Sequence, residues 1–215
     1  MPHYSISYWR NLPHIHLENQ PIFITYRLKG SIPQEVMQRL KDEQNQFSLQ
    51  IKEKKLCSSL ARKEIANFRK RILRKWDQLL DTGSTGPTWL KQAEIARLVT
   101  DAIHHYDGKF YFLVCYCIMP NHVHQLVIPF AKEPPLHSVL RDLKGFTARM
   151  ANRLLCRTGP FWQPESFDHV VRPGRLTQTL RYILENPVKA GLVSSWEEWP
   201  YSYISKEYLR MLVGQ

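Results

Sequence analysis

Two dense apolar runs separated only by a Pro-Asn pair place the strongest constraint on how this chain of 215 residues folds. The runs are KFYFLVCYCIM (109–119) and HVHQLVIPF (122–130), and both are rich in β-branched and aromatic residues. Such residues favour strands, and so short a connection brings two strands side by side. The sequence therefore predicts two neighbouring strands that meet at Pro120-Asn121.

The segments around these runs extend the pattern. Apolar and polar residues alternate in PIFITYRL (21–28), which predicts a strand, and FDHVVR (167–172) is predicted to be the last strand. Helical spacing predicts three helices, at 91–106, at 135–155 despite Gly145, and at 176–187 with Pro187 as its end. The order strand, helix, strand, strand, helix, strand, helix is the split βαβ pattern. We expect an α+β fold: a ferredoxin-like, mostly antiparallel sheet with helices on one face and an added C-terminal helix.

A basic segment interrupts this pattern between about residues 34 and 80. It is nearly free of Gly and Pro and predicts two helices with a break near SLQIKEKKLCSS (48–59). Residues 39–75 hold twelve basic and four acidic side chains, which is eight of the chain's eleven excess positive charges. Such a run is either a solvated helix face or an arm that faces phosphates. We expect one domain over 1–215 with this helical insertion.

The overall charge narrows the class of partner. Thirty Lys and Arg stand against 19 Asp and Glu, which gives a net charge of +11 and a pI near 9.6. An excess of this size favours nucleic acid or a membrane surface as partner. The chain has neither an apolar run of membrane-spanning length nor a secretory layout at its N-terminus, which predicts a cytoplasmic protein without membrane insertion.

His122 and His124 are the first candidates for chemistry. Side chains two apart on a strand point to one face, so the two imidazoles could share a metal ion with a third ligand from elsewhere. The alternative is a pair of hydrogen-bonded core histidines. Cys115 and Cys117 could complete a zinc site with them, although four side chains would have to converge from two adjacent strands. The more ordinary interpretation of the four cysteines, with Cys57 and Cys156, is free thiols.

Tyr182 and Asn186 are four residues apart in the C-terminal helix and share one face of it. A phenol beside a divalent cation is a competent nucleophile at phosphorus, and an amide oxygen is a possible ligand. The alternative is an amphipathic helix with a buried tyrosine and an asparagine near its end. The residues alone leave both interpretations open.

The ordered set MPNHVHQLVIP, LKGFTARMANRLL, GPFWQPESFDHVVR and YILENPVKAGLV resembles the REP-associated tyrosine transposases, bacterial relatives of the single-tyrosine HUH transposases. The resemblance extends over roughly residues 10 to 203. It implies that His122 and His124 are the metal-binding HUH pair, that Tyr182 is the nucleophile, and that Asn186 is the third ligand.

The resemblance also implies an activity. Family members cleave and rejoin single-stranded DNA beside palindromes that form hairpins, through a covalent 5′-phosphotyrosine, with Mg²⁺ or Mn²⁺ and without ATP. The chain has no G-x-x-x-x-G-K-[ST] phosphate loop, which agrees with that chemistry. A DNA partner predicts a nucleoid-associated protein, and one tyrosine per chain predicts either a monomer or a homodimer. The alternative function is a hairpin-binding regulator that does not cleave.

Seven further residues are predicted to contact DNA. The basic ones are predicted to contact phosphates, and the two aromatic ones are predicted either to stack on unpaired bases or to pack in the core. They are Arg141, Lys144, Arg149, Phe161, Trp162, Arg172 and Lys189.

Overall fold

The computed structural model describes residues 6–9, 13–15, 19–53, 58–81, 86–131 and 134–213. Residues 1–29 and 88–215 form one compact unit, and residues 30–87 form a second. Cys57 lies outside the described residues.

The first unit is built on a five-stranded sheet. The strands of this unit are β1 (Ile6–Trp9), β2 (Pro13–Ile15), β3 (Ile22–Arg27), β4 (Tyr111–Ile118), β5 (His122–Pro129), β6 (Phe167–Val170) and β7 (Ser202–Ile204). The five-stranded sheet has the order β6-β3-β5-β4-β7, while β1 and β2 pair separately. All of these pairings are antiparallel. The prediction of an α+β fold with an antiparallel sheet is therefore confirmed.

The predicted strand pair forms the middle of the sheet. β4 and β5 are joined by the turn at Pro120-Asn121, which the Met119 amide closes by donating to the His122 carbonyl at 2.8 Å. Both strands are almost wholly buried. Burial on both faces explains why their sequences are apolar runs rather than clean alternations.

Helices cover both faces of the sheet. The helices of this unit are α3 (Ala93–Tyr106), α4 (Leu136–Leu154), α5 (Leu176–Leu184), α6 (Asn186–Lys189) and α7 (Lys206–Val213). α3 and α4 pack against one face, where they share a core with Ile22, Ile24 and Val123. α5 lies on the other face, where the ring of Tyr182 meets Phe23.

The end of the Tyr182 helix differs from the prediction. α5 ends at Leu184, and Pro187 lies in the first turn of α6 rather than stopping a longer helix. A proline in a first helical turn costs little, because the amide hydrogen that it lacks would have no partner there. The Asn186 Nδ2 donates to the Tyr182 carbonyl at 3.0 Å and so satisfies an acceptor near the end of α5.

The second unit contains the two helices predicted for the insertion, α1 (Gln34–Glu53) and α2 (Ser58–Asp81). Phe47 stacks on Phe68 with ring centroids 3.9 Å apart, beside the buried Ile72. Glu43 binds Lys75 at 2.7 Å and Arg71 at 3.4 Å. Apolar packing and these ion pairs join the two helices. Part of the basic charge of the segment therefore stabilises the contact between α1 and α2.

Candidate active site

The histidine pair lies in the buried middle of the sheet. His122 and His124 are both fully buried on β5. Their Nε2 atoms are 3.0 Å apart, and their rings are nearly perpendicular with centroids 4.6 Å apart. The two imidazoles therefore converge on one point, as the alternation of a strand predicts.

Each imidazole is held by its other ring nitrogen. His122 Nδ1 lies 2.6 Å from Asn121 Oδ1, and His124 Nδ1 lies 2.8 Å from Thr25 Oγ1. An amide oxygen only accepts, so His122 donates from Nδ1 and keeps a lone pair on Nε2. A hydroxyl can donate or accept, so His124 can expose its Nε2 lone pair as well. Such partners fix ring orientation in metal sites.

Both histidines are neutral at physiological pH. Burial lowers the pKa of His122 to about 3. Burial also holds the pKa of His124 well below its ordinary value, with smaller contributions from the charges of His122 and Lys189. A metal ion binds only the neutral imidazole, so the pair is ready to coordinate without first losing protons.

Tyr182 faces this pair from α5. Its ring centroid lies 5.7 Å from that of His124 and 5.9 Å from that of Phe23. Phe23 also stacks on His124, with ring centroids 5.4 Å apart, so its ring contacts both His124 and Tyr182. Lys189 places its Nζ 5.2 Å from the Tyr182 ring centroid and also pairs with Glu185 at 3.4 Å. The structure thus brings together the tyrosine and the histidines predicted from sequence.

Asn186 offers one oxygen atom that nothing in the protein binds. The side chain is 1% exposed, its Nδ2 donates to Tyr182, and its Oδ1 is buried without a hydrogen-bond partner. An unsatisfied buried acceptor costs about 1–3 kcal/mol unless another group meets it. Imidazole nitrogens and an amide oxygen are ligand types that suit a divalent cation, so the chemistry of these three side chains fits such an ion.

The zinc alternative receives no support. Among the described residues, which include both cysteines and both histidines of that hypothesis, no three His, Cys, Asp or Glu side chains are grouped to hold a metal. Cys115 and Cys117 are buried free thiols, and burial raises the pKa of Cys115 well above its ordinary value, with a smaller contribution from Cys117.

The aromatic candidates for DNA contact are core residues. Phe161 is 1% exposed and Trp162 5%. Trp162 Nε1 donates to Thr147 Oγ1 at 2.9 Å, and its ring meets Tyr26 edge-on. This corrects the base-stacking interpretation, because the ring faces are covered by the protein.

The basic candidates divide into two kinds. Lys144 donates to the Gln163 carbonyl at 2.9 Å and to the Pro164 carbonyl and Ser166 Oγ at 3.1 Å each. Its ammonium therefore stabilises the segment 163–166 by hydrogen bonds within the protein rather than presenting a free charge to a phosphate. The other four side chains are exposed to solvent and accessible to DNA: Arg141, Arg149, Arg172 and Lys189.

Several neighbours of the site were missed by sequence reasoning. Thr25 and Arg27 are cross-strand partners of His124 and His122, and Arg27 is only 2% exposed. Burial lowers the pKa of Arg27 to about 10, so the side chain stays charged at neutral pH. His169 on β6 pairs with Phe23 and packs against its ring at 5.3 Å. The alternation of ITYR (24–27) places Thr25 and Arg27 on one face of the strand. Only the register between β3 and β5 shows that they lie opposite the two histidines.

No family model matches the chain. A curated protein of Haemophilus influenzae, named as a REP-associated tyrosine transposase, is 29% identical over 107 residues, which is 44% of this chain and 59% of that relative. The chain thus matches less than two thirds of the relative's length.

A solved structure shares the fold. It is a REP-associated tyrosine transposase bound to a REP hairpin, and it matches with a TM-score of 0.53 at 16% identity, over 96% of this chain and 87% of the other. Sequence relative and structural neighbour carry the same family name. The resemblance to the REP-associated tyrosine transposases is therefore confirmed. Within the described residues, no helix has the length and apolar character to cross a membrane.

Proposed function

We propose that this chain is a metal-dependent endonuclease and strand transferase that acts on single-stranded DNA beside hairpins. One observation carries the proposal: the two histidine Nε2 atoms lie 3.0 Å apart, and the Tyr182 ring lies 5.7 Å from that of His124. The likeness to a transposase bound to a REP hairpin supports hairpin DNA as the substrate. The charge of +11 suits the same partner.

His122 and His124 would hold Mg²⁺ or Mn²⁺ through Nε2, and Asn186 through Oδ1. Such an ion withdraws charge from a phosphate and stabilises the negative charge that develops in the transition state. Asn121 and Thr25 would keep the imidazoles in the required orientation, and Phe23 packs against both His124 and Tyr182.

Tyr182 would act as the nucleophile. Its phenolic oxygen bonds to phosphorus while the bond from phosphorus to the 3′ oxygen breaks. The phenol loses its proton, and the leaving 3′ oxygen takes one up. The 5′-phosphotyrosine retains the energy of the broken ester, so a 3′-hydroxyl reverses the step without ATP. Lys189 lies near enough to the ring to stabilise a phenolate.

The test uses a labelled single-stranded hairpin from beside the chain's own gene, incubated with Mn²⁺ or Mg²⁺ and resolved on a denaturing gel. We expect a covalent protein–DNA band that disappears in Tyr182→Phe and persists in Tyr203→Phe, a matched control on β7. A band that persists in Tyr182→Phe would show that Tyr182 is not the nucleophile. Binding without a band under both metals would favour the non-cleaving regulator.

Partners and location follow from this proposal. DNA as substrate predicts a nucleoid-associated protein in the cytoplasm, and a single tyrosine holds one 5′ end at a time. Exchange of two ends would therefore need a homodimer or two sequential reactions of a monomer.

A further inference from the structure

Helix α4 carries large apolar side chains beyond those that pack into the core. Its buried residues form one face of the helix: Leu136, Val139, Leu140, Leu143, Thr147 and Ala151. Phe146 and Leu154 lie outside this face and are 43% and 50% exposed. The core of a single chain therefore does not use these two side chains.

The exposed apolar residues of α4 lie in a row. Phe146, Met150 and Leu154 follow one another at intervals of four residues, so their side chains form one ridge along the helix. Met150 is half-buried between its two exposed neighbours. A single apolar side chain on a surface is ordinary, whereas several in a row mark a site of interaction. We refer to Asp142, Phe146, Met150, Arg153 and Leu154 as the α4 ridge.

The two ends of the α4 ridge carry opposite charges. Asp142 lies at the N-terminal end, one turn before Phe146, with its side chain 58% exposed. It lies 3.5 Å from Arg141 Nε, but an exposed ion pair of this kind contributes little. Arg153 lies at the C-terminal end, where its Nη1 is 3.9 Å from Met150 Sδ. The ridge is thus acidic at one end, apolar in the middle and basic at the other.

Arg149, near the middle of the helix, directs its charge to the side of the α4 ridge. A Cβ at Gly145 would lie 3.5 Å from Arg149 Nη1, so the guanidinium lies over Gly145. Gly145 and Phe146 are consecutive, and their directions from the helix axis differ by about 100°. Two α4 helices can therefore meet along the ridge without bringing their two Arg149 guanidiniums together.

A surface with this order of charges is complementary to a reversed copy of itself. Twofold symmetry brings the same surface of two identical chains face to face. In an antiparallel pair of α4 helices centred between Phe146 and Met150, Phe146 faces the partner's Met150 and Asp142 faces the partner's Arg153. An aromatic ring packs favourably on a thioether, and a carboxylate accepts charge-assisted hydrogen bonds from a guanidinium. A strongly acidic partner would instead place like charge against Asp142.

We propose that a second copy of this chain docks on the α4 ridge, with the two α4 helices antiparallel in a twofold-symmetric dimer. The inference does not depend on the proposed function. α5 and Tyr182 lie on the opposite face of the sheet, so the contact leaves the candidate active site of each copy uncovered. The net charge of +11 per chain opposes association at low ionic strength. At physiological ionic strength this repulsion is screened beyond about 8 Å.

The first test measures the molecular mass of the full chain by sedimentation equilibrium over a range of protein concentrations, at physiological ionic strength. Nuclease treatment and an absorbance spectrum free of nucleic acid exclude DNA that bridges two chains. We expect an equilibrium between monomer and dimer. Phe146→Gln should weaken the dimer at least about tenfold, because it removes an apolar side chain from the centre of the contact.

Leu192→Gln is the matched control, since Leu192 is 39% exposed and lies outside α4. This variant should associate as the parent chain does. Glutamine is a good helix former, so Phe146→Gln should melt near the temperature of the parent chain, which separates lost association from lost folding. A parent chain that stays monomeric at every concentration, or a dimer equally stable in Phe146→Gln, would overturn the proposal.

The second test reverses the charges at the two ends of the α4 ridge. Asp142→Arg alone and Arg153→Asp alone each bring like charges together in an antiparallel pair, so each variant should dimerise more weakly than the parent chain. A mixture of the two variants restores opposite charges at both ends and should form mixed dimers with an affinity near that of the parent chain. Sedimentation of one variant with a fluorescent label, in an excess of the other, detects the mixed dimer. Its absence would overturn the antiparallel arrangement and the proposal with it.

Discussion

Thr25 and His124 face each other across β3 and β5, and Thr25 Oγ1 lies 2.8 Å from His124 Nδ1. This contact fixes the orientation of the His124 imidazole. The first prediction follows from it: Thr25→Val should weaken Mn²⁺ binding about 10- to 100-fold, the usual effect of removing such a partner. Thr25→Ser keeps the hydroxyl and is the control. Titration calorimetry would decide, and equal affinity in both variants would contradict the orienting role.

The second prediction concerns Asn186, whose buried Oδ1 has no partner in the protein. Asn186→Asp keeps an oxygen at this position and adds a negative charge, so Mn²⁺ should bind at least as tightly as in the parent chain. Asn186→Leu removes the oxygen and should bind Mn²⁺ at least tenfold more weakly. Electron paramagnetic resonance of free Mn²⁺ measures both. If the leucine variant binds normally, Asn186 is not a ligand.

The third prediction is a pH dependence of the metal-free protein. The pKa of His122 is about 3 in the folded chain and near 6.5 when unfolded. The unfolded state thus takes up a proton first as pH falls. The free energy of unfolding is therefore highest above pH 6.5 and declines towards pH 3, by up to about 1.4 kcal/mol per pH unit for this group.

Urea unfolding in EDTA at pH 7, 6 and 5 measures this decline. His122→Gln lacks the titrating group and should show a shallower decline. His105→Gln, at an exposed position, should follow the parent chain. An identical slope in His122→Gln and the parent would refute the assignment to His122.

The fourth prediction tests the packing of the helical insertion. Ile72 is 2% exposed in α2, so Ile72→Ala should destabilise the pair of helices by about 2–5 kcal/mol. Leu60→Ala, at a position of the same helix that is 52% exposed, should cost less than about 0.5 kcal/mol. Hydrogen exchange of the whole chain, read at 34–53 and 58–81, distinguishes them. Unchanged protection in Ile72→Ala would contradict the packing.

The fifth prediction separates Lys144 from the exposed arginines. Lys144→Met removes three hydrogen bonds within the protein and should lower the free energy of unfolding by about 1–3 kcal/mol. The salt dependence of hairpin binding should stay the same, because the ammonium contacts carbonyls rather than phosphate. Arg149→Ala should instead reduce the salt slope by about one. A shallower slope in Lys144→Met would restore it as a phosphate contact.

The sequence by itself determined most of the strands and helices and which candidate side chains share a face. The β4–β5 pair followed from two apolar runs and a Pro-Asn turn, because strand preference and short-loop geometry are local properties. That His122 and His124 share a face followed from the two-residue repeat of a strand. The two insertion helices followed in the same way from their composition. The ordered motifs added the resemblance to the REP-associated tyrosine transposases, and with it the expectation that Tyr182 is the nucleophile.

Only the tertiary structure decided which side chains meet. The burial of Phe161 and Trp162 and the three acceptors of Lys144 depend on the loop that packs on α4, which no local pattern specifies. The pairing of Thr25 with His124 depends on strand register, since a slip of one residue would turn Thr25 to the other face. Long-range contacts bring together residues about a hundred positions apart, and their geometry exists only once the sheet has formed.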